Sequence, residues 1–255
     1  MKKNLLLCLV TVFLFLFQQS MYGQIVNIER KRISADSTGF LGEGYLNFSG
    51  AKTTKEILSL GTGILLEYKS KSTNDLWLFI SDLNLVNGEK QKFTNNGFGH
   101  LRYNRKIGKA IRWELFTQIQ YNSLTKIDKR ALAGTGLRFK MTQYEKARFY
   151  LGIAVMYEYE ELLEPRIIYH DQRISNYLSF TLLPEEAVSF ASTTYVQPLI
   201  KDFNDYRIHT ENTLDLDITK KLSFIATVKY SYDTRPPEGV PLSTYSFANG
   251  LKITF

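Results

Sequence analysis

The sequence predicts an all-β protein: a transmembrane antiparallel up-and-down β-barrel of about twelve strands in an outer membrane. Three observations carry this. From residue 40 onward the chain falls into runs of about ten residues with period two, separated by turn signals, and about ten residues is the length of a tilted strand that crosses a bilayer. The chain holds 16 Tyr and 17 Phe, yet its mean hydropathy is only −0.20, as suits strands that face lipid on one side and a lumen on the other. Finally, the terminal Phe255 is in phase with the apolar face of the last run (Tyr245, Phe247, Leu251, Ile253). Termini of soluble domains tend to be polar and frayed, whereas a closed barrel pairs its last strand with its first and leaves no edge.

The first element is read as a signal peptide, residues 1–23. Lys2 and Lys3 precede an apolar stretch from Leu5 to Phe17, which is short for a membrane-spanning helix and fits a signal h-region. Cys8 lies inside that stretch and would leave with it, so the exported chain would hold no cysteine. Residues 24–39 are expected to form a short periplasmic lead. The barrel is expected over 40–255 as one domain, since no long Pro-, Gly- or Ser-rich linker interrupts it. The net charge is +7, but the basic residues are scattered, with no aromatic-interleaved stripe for nucleic acid.

The runs lie at 40–49, 56–68, 75–86, 92–104, 111–122, 130–142, 147–159, 172–183, 187–197, 206–218, 221–232 and 243–255. Their even number returns the last strand to the side where the first began. In 111–122, Ile111, Trp113, Leu115, Ile119 and Tyr121 share one face, and Arg112, Glu114, Gln118, Gln120 and Asn122 the other. Inner turns are expected at 69–74, 105–109, 143–146, 184–186 and 219–220. Outer loops are expected at 50–55, 87–91, 123–129, 160–171, 198–205 and 233–242. Aromatics such as Tyr68, Trp77, Tyr103, Trp113, Tyr157, Tyr159 and Tyr232 cluster at run ends, where interfacial girdles form. A soluble lipid-binding barrel would also alternate, but its inward face would be apolar, whereas here the more polar face carries charges of both signs.

Certain stretches resemble a known family. The segment YSYDTRPPEG from Tyr230 to Gly239, followed by a last strand ending in Phe255, resembles the end of a family of small Gram-negative outer-membrane proteins of unknown function, some described as salt-induced. RALAGTGLR from Arg130 to Arg138 resembles its mid-chain segment, and NFSG from Asn47 to Gly50 its opening hairpin. The resemblance implies a barrel and supplies no reaction. Phe255 also looks like the signal read by the barrel-assembly machinery, which with outer-membrane lipid would be this chain's partners.

No cofactor, metal centre or enzymatic activity is expected. His100, His170 and His209 show no metal-ligand spacing. His100 and His209 are read as inward, and His170 as a loop residue. Some outer-membrane barrels hydrolyse lipid with a Ser, a His and an acidic or amide partner, and the local grouping here is His170 and Asp171 with Ser175 or Ser179. Glu158, Glu160, Glu161, Glu164, Asp202 and Asp205 lie on or near outer loops, where oxygen ligands can hold calcium, but their spacing matches no known loop and a solvated loop is favoured. A surface binding role would use loops 160–171 and 233–242. Gly134 and Gly136, like Gly61 and Gly63, are read as places where the wall bends or an inward side chain comes close to it.

The main candidate set is the inward one: Arg102, Arg112, Glu114, Arg138, Lys140, Arg148, Glu158, Arg173, Arg207, His209, Glu211, Asp215, Asp217 and Lys229. These groups either pair across the lumen and fill it, or line a narrow path for ions or an unidentified small solute. Twelve strands fall between filled barrels and open channels, and a filled or narrow lumen is favoured.

Overall fold

The computed structural model describes residues 38–52, 56–71, 74–88, 91–144, 146–185, 187–219 and 222–253. The expected signal peptide, nearly all of the expected lead and the terminal Phe255 lie outside them. Among the described residues there are twelve strands: β1 (Gly39–Lys52), β2 (Glu56–Lys69), β3 (Asp75–Gly88), β4 (Gln91–Lys106), β5 (Ile111–Asn122), β6 (Ile127–Tyr144), β7 (Ala147–Leu162), β8 (Ile168–Glu185), β9 (Val188–Leu199), β10 (Asp202–Thr219), β11 (Leu222–Asp233) and β12 (Ser243–Ile253). They form one sheet in chain order, with each described pair antiparallel, as between β5 and β6 or β10 and β11. No register among the described residues joins β12 to β1, so the expected closing seam is not seen there.

The hairpins define two ends. The β2–β3, β4–β5, β6–β7, β8–β9 and β10–β11 connections lie at one, the turn end. The connections at the other, the loop end, are shorter than the sequence implies. β7 continues to Leu162 and β8 begins at Ile168, so most of the expected loop 160–171 is strand. Likewise β9 and β10 leave only residues 200–201 between them. The loop of 234–242 stands as expected.

Period-two alternation sets the two faces. On β5, Glu114, Phe116, Gln118 and Gln120 are buried while Trp113, Leu115 and Ile119 are exposed. β7 repeats this, with Ala154, Met156, Glu158 and Glu160 buried and Ile153, Val155 and Tyr157 exposed. Burial thus selects the polar set, the inverse of a water-soluble sheet.

The exposed face is apolar and bordered by aromatic rows. At the turn end, Phe40 pairs with Tyr68, Tyr68 with Trp77 and Trp77 with Tyr103, an unbroken cross-strand row over β1 to β4. The Trp77 and Tyr103 rings lie 4.7 Å apart, and Trp113 on β5 continues the row at 6.0 Å. Phe149, Phe180 and Phe190 extend it across β7, β8 and β9 at 5.7 and 5.9 Å. Towards the loop end stand Tyr157 and Tyr159, and the Tyr206–Tyr232 pair at 5.9 Å. From Phe149 to Tyr159 is about 34 Å along the strand at about 3.4 Å per residue. Tilted by about 40°, that is about 26 Å, close to the apolar band of a membrane barrel.

Candidate functional site

The inward face is concave enough that strands three apart touch through their side chains. β7 and β10 would lie about 14 Å apart in a flat sheet. Yet Arg207 on β10 donates from Nη1 to Glu158 Oε1 on β7 at 2.8 Å. Likewise Tyr177 on β8 donates its hydroxyl to Glu114 Oε2 on β5 at 3.2 Å.

The loop-end half holds a charge network. Glu158 lies 2.8 Å from Arg207, 3.5 Å from Arg173 and 3.6 Å from Arg130. Glu160 bridges Arg130 and Arg207. Arg207 Nε also pairs with Asp233 on β11 at 3.0 Å, and Arg173 with Asp205 on β10 at 3.0 Å. Arg130, Arg173 and Glu158 are each only 2% exposed. Charges this deeply buried persist only when paired and hydrogen-bonded, and this one network ties together β6, β7, β8, β10 and β11. Arg235, from the loop after β11, reaches Asp202 at 2.6 Å and Asp205 at 3.6 Å. The same loop crosses to the β5–β6 hairpin, where Lys126 donates to the Glu238 carbonyl at 2.8 Å. The loop therefore roofs the network.

Below it lies an apolar waist of Phe116, Ala154 and Met156, with Leu132 against them. Glycines make room for rings. A Cβ on Gly134 would meet Phe116 at 2.5 Å, and one on Gly152 would meet the Tyr177 ring at 1.9 Å. Tyr177 thus lies flat across β7, its ring 5.4 Å from that of Tyr195. The expected role of Gly134 holds. Glu114 takes Arg102 at 3.4 Å. Arg102 Nε donates to His100 Nε2 at 3.3 Å, so the imidazole proton sits on Nδ1, 3.0 Å from Gln118 Oε1. The cavity at the waist measures about 40 Å³, room for two or three waters.

The remaining candidates are distributed along the wall. His209 is buried against Ser231 Oγ at 2.8 Å, and Glu211 lies 3.9 Å from Lys229. Arg112, Arg138, Lys140 and Arg148 are half-buried at the turn end, Asp215 is half-buried, and Asp217 is exposed.

Three expectations are corrected. His170 is in β8, not in a loop, and faces outward, with Tyr157 Oη 2.5 Å from its Nδ1. Asp171 and Ser175 face inward and are buried, so alternation splits the His–Asp–Ser grouping across the sheet. The favoured reading of the acidic set as a solvated loop is also corrected. Glu158, Glu160 and Asp205 are buried against arginines, Glu161 takes Arg166, and among the described residues no group of three ligating side chains converges. Arg130, Glu160 and Tyr177 were absent from the candidate set. Arg130 opens the run 130–142 and Glu160 sits one residue past the run 147–159, each in phase with its inward face.

A meander with charges buried on its concave face and aromatics bordering an apolar convex face has the architecture of a membrane β-barrel wall. The chain belongs to the family described as "Protein of unknown function, DUF481", which matches residues 48–255. No curated protein matches it. Among solved structures it is similar to a NanC porin (TM-score 0.48, 13% identity, 85% of this chain and 99% of that one). It is also similar to a KdgM porin (0.43, 11%, 85% and 99%) and a bacterial polysaccharide outer-membrane secretin (0.41, 9%, 83% and 77%).

Proposed function

We propose that this protein is a structural outer-membrane β-barrel whose lumen is held shut at the loop end, passing at most water and small ions, without enzymatic activity. The observation that carries the reading is Glu158, held by three arginines beneath the roof formed by 234–242. Charges that lined a wide aqueous path would stay hydrated, whereas these are buried and consumed by one another. The apolar convex face supports contact with outer-membrane lipid. Closure would follow from pairing β12 with β1 during insertion by the assembly machinery.

Conductance in planar bilayers tests the occlusion. Wild-type protein is expected to give no steps above baseline, and removal of residues 234–242 together with Glu158→Ala to produce them. Large steps from the wild type at low voltage would end this reading. The membrane location has its own test. Ile153 sits midway between the two aromatic rows on β7 and is 47% exposed. Ile153→Arg is expected to cost about 2–4 kcal/mol in vesicles, as for a lipid-facing charge at mid-depth. Leu163→Arg, beyond the strand, is expected to change stability by less than about 0.5 kcal/mol. Equal small effects in urea unfolding would speak for a water-facing wall.

A further inference from the structure

A lipid-facing wall is expected to be apolar at the middle of its depth, and on β8, β9 and β10 it is not. Alternation turns Asn176 on β8, Ser192 and Thr194 on β9, and Thr210 and Asn212 on β10 outward. The register sets Ser192 opposite Asn212 and Thr194 opposite Thr210, so they form one patch. Their outward neighbours Leu178, Val196 and Val228 are exposed, which places the patch where lipid tails reach. Its depth follows from the aromatic rows. Asn176 lies four residues from Phe180, Thr194 four from Phe190 and Asn212 six from Tyr206, against the ten from Phe149 to Tyr159.

Other outward threonines are satisfied within the wall. Thr117 donates to the Leu132 carbonyl at 3.1 Å and Thr135 to that of Glu114 at 3.0 Å. Thr194 and Thr210 bond one another at 3.0 Å. The side-chain amides of Asn176 and Asn212 have no hydrogen-bond partner among the described residues. Hydrocarbon supplies none, and an unpaired amide is costly there. The same strands depart from the rule a second time, beyond the aromatic rows. Ile168 stands opposite Glu161, past Tyr159, and is 47% exposed. Ile200 and Phe203, on the loop side of Tyr206, are 40% and 62% exposed. They sit among Lys201, Asp202 and Asn204, where water replaces tails. A face that is polar at the depth of the tails and apolar above them suits neither lipid nor water. It suits another protein surface.

We propose that the outward face of β8 to β10 is the contact between two copies of this chain in the membrane. The occupant is a second copy because the patch complements itself. It carries no charge, and amides and hydroxyls both donate and accept, so the same set on a facing wall satisfies it. Two copies inserted in the same direction share a two-fold axis along the membrane normal, and such a contact pairs residue i with j and j with i. Asn212 is six residues from Tyr206, and Asn176 six from His170, which pairs with Tyr159. The two asparagines therefore lie at about the same depth on either side of β9. With the axis at β9, Asn176 of one copy faces Asn212 of the other, twice, and Thr194 faces its own counterpart.

Sedimentation equilibrium of the full chain, refolded in density-matched detergent, tests this. The wild type is expected to show a monomer–dimer equilibrium. Asn176→Leu and Asn212→Leu are each expected to weaken it by about tenfold or more, since each change removes hydrogen bonds at two symmetric places. Leu115→Ala, at an exposed outward position on β5, is expected to stay within about twofold. Thr194→Cys with Cys8→Ser leaves residue 194 as the single thiol, and is expected to give a disulfide-linked dimer in vesicles. Leu115→Cys with Cys8→Ser is expected to give none. Heat-modified gel mobility confirms that each variant is folded. A wild type that stays monomeric at every protein-to-detergent ratio would overturn the proposal. So would equal losses from Leu115→Ala and Asn212→Leu, equal cross-linking at positions 115 and 194, or cross-linking of position 194 to a different protein in cell envelopes. The inference rests on this wall facing lipid, which Ile153→Arg tests separately. A monomer in which that arginine keeps its full cost would remove the dimer and leave the membrane location standing.

Discussion

Arg207→Met is expected to destabilise the barrel by about 3–5 kcal/mol, the cost of breaking a buried ion pair from one side. Arg207 is the shared cation of Glu158, Glu160 and Asp233, on two other strands. Removing it leaves Glu158 with Arg130 and Arg173, and Glu160 with Arg130. Asp233 keeps an acceptor contact from the Arg235 backbone amide at 2.9 Å but loses its buried guanidinium. The penalty therefore comes from stranded carboxylates more than from lost attraction, and that distinction can be measured. The variant Arg207→Met with Glu160→Gln and Asp233→Asn removes the stranded charges too, and is expected to recover most of the loss, because replacing a whole buried network is often near neutral. Arg207→Lys should fall between, since an ammonium cannot serve three carboxylates through a planar fork. For contrast, Arg166→Ala breaks a pair whose arginine is 75% exposed and should cost less than about 1 kcal/mol. Urea unfolding in detergent or vesicles measures all four. If the charge-balanced triple variant is no more stable than the single one, the network is held by geometry and not by charge compensation.

The pattern that fixes the wall is local, and so it was legible. Alternation in 111–122 gives β5 its observed bounds and both its faces, because a one-residue slip would turn Glu114 and Gln118 toward lipid. The strand ends were less legible for a physical reason. β6, β8 and β10 are each 18 residues long, longer than a bilayer requires. Past the apolar band the outward positions turn polar, as at Asp128, His170 and Asn204, so the contrast with the inward face disappears while the strand continues. That is why His170 reads as a loop residue and Glu160 as an acid on or near a loop. The inward charges were legible as a class but not as a circuit. Which arginine meets which carboxylate depends on the curvature that brings β7 to β10, and no sequence period encodes that. The turn end shows the same split. Arg112, Arg138, Lys140 and Arg148 are readable as inward, but only the register places Arg112 against Arg138.

Gly152→Ala should be among the most damaging single-methyl changes in the wall. A Cβ there would sit 1.9 Å from Cε1 of Tyr177 and 2.3 Å from its Cζ, so the ring has to leave. The effect is one of space, since Gly152 is not among the glycines with positive φ. Displacing Tyr177 gives up its bond to Glu114, 63 residues away in sequence, and its contact with Tyr195. Overpacking of this kind typically costs about 1–3 kcal/mol, and the lost hydrogen bond to a charged acceptor adds about 1.5–3 kcal/mol. The sum makes the change comparable to losing Arg207. Gly99→Ala is the control: its nearest neighbour is Ile119 Cγ2 at 3.8 Å, and it should shift stability by less than about 1 kcal/mol in either direction. The double variant Gly152→Ala with Tyr177→Ala separates crowding from a general intolerance of the site. If the ring is the obstacle, the two changes should couple by about 1–3 kcal/mol in the compensating direction. If their costs simply add, the trench at Gly152 does not exist to seat Tyr177. The same pair also bears on the lumen. Tyr177 spans from β8 to β5 at the level of the waist, so clearing it while the loop-end network stays intact should leave the bilayer current at baseline. Conductance from that double variant alone would relocate the barrier from the arginine network to the aromatic waist.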